Sequence, residues 1–123
     1  MGRGLAEREE PGMEFATLRI EDVLVVQVPE DALNAANSSQ FKRMMKPLLE
    51  ENRKVLFDMG DIQFLDSAGC GALLSCLRHV NGNGGQLRLC SVQKPVQTLF
   101  KLVRIDRIIA MHGSREEALE AFG

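Results

Sequence analysis

The sequence contains neither tryptophan nor tyrosine, and six phenylalanines are its whole aromatic complement. A core of this size needs those rings, so none is left over for stacking on bases. Its two histidines, His79 and His112, and three cysteines, Cys70, Cys76 and Cys90, form no cluster at ligand spacing and no C-x-x-C. No metal site is therefore expected. Three thiols cannot all pair; they read as buried and reduced, which agrees with a reducing compartment and a cytoplasmic location. No apolar run approaches the length of a membrane span, so no membrane insertion is expected, and the first residues lack the apolar stretch of a signal peptide. Fifteen Lys and Arg stand against 17 Asp and Glu, a net charge of −2 with no basic block, which argues against nucleic acid as the main partner. No Walker-type glycine loop occurs, and no cofactor is expected.

What is present suits one domain. The chain has 123 residues, 45% of them hydrophobic and 26% charged, ordinary values for a globular protein with a single core. Residues 1–12 are polar, mixed in charge and without period, and read as a flexible lead-in to a domain spanning 13–123.

The chain is organised around Val55 to Leu77. Val55-Leu56-Phe57 is a short continuous apolar run, as in a strand buried on both faces. Asp58 to Gln63 reads as a surface loop, and Phe64-Leu65 as a return toward the core. From Cys70 a helical period sets in, with Leu73, Leu74, Leu77 and Val80 on the same face. Asp66 or Ser67 then stands at the N-cap, where a short oxygen side chain accepts an unpaired backbone N–H. The turn after it, Ala68-Gly69-Cys70-Gly71-Ala72, has almost no bulk. Two glycines there weaken a helix by roughly 1 kcal/mol each relative to alanine, so close approach of another backbone is the expected reason for them.

Around this centre, Phe15 to Ile20 and Val23 to Val28 read as two strands about Glu21-Asp22. Asn37, Ser38 and Ser39 offer caps for an amphipathic helix carrying Phe41, Met44, Met45, Leu48 and Leu49. Pro47 inside it predicts a kink or a late start. Asn81 to Gly85 follows a helix instead of opening one, so it reads as a C-cap and turn, not a phosphate loop. Gln86 to Cys90 is a half-buried strand. Val92, Val96, Leu99, Phe100 and Val103 recur at helical spacing, Ile108 to Met111 is a last strand, and Ser114 to Glu117 is a capping box opening a helix through Phe122. The order is ββαβαβαβα, a small α/β fold with a mixed, mostly parallel sheet.

Asp58 to Leu74, with Asp-Ser-Ala-Gly at 66–69, resembles the signature of the STAS family, the anti-anti-sigma factors (anti-sigma factor antagonists) and their relatives. The likeness extends more loosely over Phe15 to Phe122. It implies helices gathered mainly on one side of the sheet, a first strand at an edge, and phosphorylation of Ser67 by an anti-sigma serine kinase, reversed by a serine phosphatase. The unphosphorylated form would bind that kinase and free a sigma factor. Where the family usually has Gly-x-Leu-Asp, this chain has Asp31-Ala32-Leu33-Asn34, without the glycine and with Asn34 in place of the aspartate. Asp31, Asn34, Asp66, Ala68, Gly69, Gly71 and Ala72 are the expected partner-binding residues. Bulk at Gly69 is expected to weaken binding and leave thermal unfolding nearly unchanged. The expected state is a monomer or weak dimer.

Catalysis reads poorly beside this. Ser67 lacks the G-x-S-x-G elbow and a placed histidine base. Asp58 ends a buried strand, as a receiver-domain acceptor does, but no acidic pair follows a first parallel strand and no lysine follows a later one. A module that never sees phosphate, part of a transporter or signalling assembly, is the alternative within the fold.

Overall fold

The computed structural model describes residues 15–122, so the lead-in expected over 1–12 lies outside the described residues. Five strands form one sheet in the spatial order β1-β2-β3-β4-β5: β1 (Ala16–Ile20), β2 (Val23–Gln27), β3 (Lys54–Asp58), β4 (Gln86–Cys90) and β5 (Ala110–His112). β1 pairs antiparallel with β2, and the remaining pairs are parallel. Helices α1 (Ser38–Glu51), α2 (Ser67–Gly82) and α3 (Lys94–Leu102) make the crossovers, and α4 (Arg115–Phe122) closes the chain.

The apolar runs of the central strands follow from cover on both faces. Leu24, Val26, Val55, Phe57, Leu87 and Leu89 turn one way, into the main core with Phe41, Met45, Leu73, Val80, Val96 and Phe100 of the three crossover helices. Val23, Val25, Leu56 and Cys90 turn the other way, against Ala118 and Phe122 of α4. Three helices on one face and one on the other is the expected layering, with β1 at the expected edge.

Several local expectations shift. α1 starts at Ser38 and runs unbroken through the exposed Pro47, so its start is not delayed. Its N-cap, Asn37, makes no side-chain cap bond; the Asn34 carbonyl takes the N–H of Ser38 at 2.8 Å and that of Asn37 at 3.1 Å, and the Asn34 side-chain oxygen takes Asn37 again at 2.9 Å. The last strand begins at Ala110, two residues later than expected, because a 3-10 turn (Ile105–Arg107) occupies the space before it and leaves Ile108 exposed. The final capping box forms as a neighbour of the usual one. Ser114 Oγ accepts the Glu117 N–H at 3.1 Å, while Glu117 Oε1 accepts from Gly113 at 3.0 Å.

Candidate functional site

The C-terminal ends of β2 and β3 release two loops on the same rim of the sheet, and these loops meet at the start of α2. The first, from Val28 to Asn37, is fastened at its origin by the Val28 N–H on the Asp58 carbonyl, 3.0 Å. Ala32 and Leu33 are buried, Asp31 is exposed and Asn34 half-buried. The Asn37 side-chain amide donates to the Asp31 carbonyl at 3.0 Å, so Asn34 and Asn37 between them set the turn. An amide oxygen thus does the structural work expected of an aspartate at position 34, without its charge.

The second loop, 59–66, alternates by threes. Met59, Ile62 and Leu65 are buried, while Asp61, Gln63 and Phe64 face out. Phe64 is 76% exposed, so it does not return to the core as the sequence suggested; Leu65 alone does. The Gln93 amide holds the loop by donating to the Gly60 carbonyl at 2.6 Å. At the strand end, Asp58 accepts from Gly60 N on one oxygen and from Arg115 on the other, both fully engaged in structure.

Asp66, not Ser67, is the N-cap of α2. Its Oδ1 accepts the Gly69 N–H at 2.9 Å and its Oδ2 accepts the Ala35 N–H at 2.9 Å, so one carboxylate both starts the helix and ties down the first loop. Those two bonds, Gly69's first and Ala35's next, hold its carboxyl below the usual carboxylate range. Ser67 follows at the first helical position, exposed, and its hydroxyl makes no hydrogen bond with another described residue. Ala68 and Cys70 are half-buried, and Gly71 is exposed with nothing near the place a Cβ would take.

Two expected contact residues belong inside instead. Gly69 is buried, and a Cβ on it would overlap the Leu33 carbonyl oxygen. Ala72 is buried in the main core. The smallness of Gly69 therefore admits the chain's own first loop, and bulk there cannot leave unfolding untouched. The outward part of the turn is Ser67, Ala68 and Gly71, flanked by Phe64 and by the loop that carries Asp31 and Asn34. Phe64 was legible only as a gap in the three-residue spacing of Met59, Ile62 and Leu65.

Burial raises all three thiols, Cys76 to about 12, with Asp66 adding to the effect at Cys70. They are protonated at neutral pH and poor nucleophiles. Among the described residues no group of three His, Cys, Asp or Glu gathers to hold a metal, and no helix is long and apolar enough to cross a membrane.

The model of the STAS domain matches residues 14–118. The chain belongs to this family. Among curated STAS relatives, a Thermotoga maritima protein named as an anti-sigma factor antagonist is 27% identical over 104 residues, 83% of this chain and 92% of that one. A crystal structure from the same organism, under the same description, superposes with a TM-score of 0.82 over 88% of this chain and 93% of that one, at 24% identity. The murine anion transporter Slc26a9, inward-facing, superposes with a TM-score of 0.77 over 98% of this chain but 24% of its own length, at 15% identity. The STAS fold thus occurs both as a small regulator and as a part of a larger transporter.

Proposed function

We propose that this STAS protein is an anti-sigma factor antagonist, a binding protein and not an enzyme, whose docking surface is the start of α2 and whose switch is phosphorylation of Ser67. The observation that carries the reading is the placement of Ser67: a free hydroxyl at the first turn of α2, beside a carboxylate already committed to the cap. A phosphate there stands at the positive end of the helix dipole, which tolerates negative charge, so the fold is retained. The same charge adds to that of Asp66 beside the small, uncharged side chains of Ala68 and Gly71, and repels or desolvates a docked partner. Phe64 supplies an exposed ring at the rim of that surface, the type of side chain that anchors interfaces. The STAS relative named as an anti-sigma factor antagonist supports the choice of partner class, an anti-sigma factor; that this partner is a serine kinase opposed by a phosphatase is what the likeness at Asp66 to Gly69 implies.

The test is a titration of the unmodified and Ser67-phosphorylated chain against its cognate anti-sigma kinase. The unmodified form binds and the modified form does not. Equal binding by both forms would refute the switch and leave the phosphate-independent module.

A further inference from the structure

β1 is an edge strand, and its turn decides which of its backbone groups look outward. Ile20 and Val23 flank the two-residue turn Glu21-Asp22 and pair with each other. A pair in that position exchanges both of its hydrogen bonds. Alternation along the ladder then turns the N–H and C=O of Ala16, Leu18 and Ile20 toward β2, and those of Thr17 and Arg19 away from the sheet. Natural edges of this kind are blunted by proline, lysine or a bulge. β1 has no proline or lysine and its register with β2 is unbroken. Its one charge, Arg19, is drawn aside by a 2.6 Å bond to the Asn52 side chain at the end of α1.

The side chains of β1 add a second observation. Ala16, Leu18 and Ile20 share the α4 face of the sheet with Val23 and Val25. α4 packs on β3, β4 and β5; at the turn end of β1 Ile20 packs against the cluster that α4 forms with the sheet, while Ala16 and Leu18 are left exposed among the described residues. Leu18 is 51% exposed in consequence. An open ladder with an apolar row along one face matches a strand that offers the same two features.

We propose that β1 is the docking edge for a second copy of this chain, paired antiparallel about a two-fold axis at Leu18. Outward groups sit on Thr17 and Arg19, so a symmetric pairing has its centre at Thr17, Leu18 or Arg19. Centring on Arg19 sets two guanidinium groups opposite each other. Centring on Thr17 runs each Ile20 past the end of the partner strand. Centring on Leu18 sets Thr17 against Arg19 twice, with both bonds of each pair made. It also places Leu18 on Leu18 and Ala16 on Ile20, so every apolar side chain of the row meets another. The result is a continuous ten-stranded sheet, with the Ser67 surfaces left free. A contact of one strand on each side is small, and the association is weak and concentration-dependent.

Sedimentation equilibrium of the full chain from micromolar to millimolar concentration tests this. The expected mass rises from 13.6 kDa toward twice that value. Thr17→Pro removes an outward N–H and leaves the β1–β2 ladder whole, so the association weakens by about tenfold or more while the circular dichroism spectrum and Tm stay put. Leu18→Cys is the independent check. Residues opposite each other in a non-hydrogen-bonded pair have Cα atoms about 4.5 Å apart, within disulfide reach, so this variant oxidises to a covalent dimer. The unsubstituted chain and Thr17→Cys, under the same conditions, do not. A monomer mass at millimolar concentration, or no cross-link in Leu18→Cys beyond these controls, would overturn the proposal.

Discussion

Oδ2 of Asp66 accepts the backbone N–H of Ala35 at 2.9 Å, joining the start of α2 to a loop that left the sheet one crossover earlier. The other oxygen caps the helix through Gly69. A single side chain thus holds the two segments of the candidate docking surface in register.

The bond makes a pH-dependent prediction. The folded-state pKa of Asp66 lies below its ordinary value, so its contribution is present above the unfolded carboxylate value of about 3.9 and is lost as pH falls through the folded one. Amide exchange at Ala35 and Gly69 should accelerate in that acid window ahead of the β3 amides. Asp66→Ala should show the faster exchange already at pH 7, with a lowered Tm. Unchanged protection at Ala35 in that variant would show that the loop is held by other means.

The two glycines of the turn should separate cleanly. Gly69→Ala pushes a methyl group into the Leu33 carbonyl oxygen, backbone against backbone, and overpacking of this kind costs roughly 1–3 kcal/mol. Gly71→Ala meets open space and gains helix propensity, up to about 1 kcal/mol. Denaturant unfolding of the two variants should therefore move in opposite directions. A stable Gly69→Ala would mean that Leu33 yields without cost.

How much of this could be read beforehand depends on whether a feature is periodic or relational. Leu73, Leu77 and Val80 announced a helix face, and Val55 to Phe57 announced a strand covered on both sides, because burial imposes a period that the chain shows directly. Gly69 announced that something comes close without saying what. The answer, Leu33, is remote in sequence and reaches it only through the fold. Asp66 and Ser67 were equivalent as caps by residue type; the Ala35 N–H, again remote, favours the longer carboxylate, which bonds both segments at once. Phe64 was misread because one aromatic beside a leucine looks like a core pair, and only the three-residue spacing of Met59, Ile62 and Leu65 sets it apart.

Phe64 gives the third prediction. Its ring is largely in solvent, so Phe64→Ala should change stability by no more than about 0.5 kcal/mol. If the ring anchors the partner, the same change should weaken binding by about 1–2 kcal/mol or more, chiefly through faster dissociation. Calorimetric titration against the anti-sigma kinase, with thermal unfolding alongside, reads both quantities. Unaltered affinity would move the anchor to the loop bearing Asp31 and Asn34.

The fourth concerns Ser67, and the identity of the cap sharpens it. Because Asp66 supplies the cap bond, Ser67→Ala removes no hydrogen bond between described residues and should unfold within about 0.5 kcal/mol of the unsubstituted protein. The alanine keeps the surface small and neutral, so kinase binding should be retained while phosphate incorporation falls to nothing. Ser67→Asp and Ser67→Glu bring one negative charge beside a carboxylate that is fixed by two backbone bonds and cannot swing away. Both should bind less well than Ser67→Ala, and phosphoserine, with nearly twice the charge, least of all. That order distinguishes charge from bulk, since Ser67→Gln matches Ser67→Glu in size and should bind closer to the unmodified chain. Loss of binding in Ser67→Gln equal to that in Ser67→Glu would assign the switch to steric exclusion. A phosphate found by mass spectrometry on Ser75 or Ser91 would remove Ser67 from the mechanism.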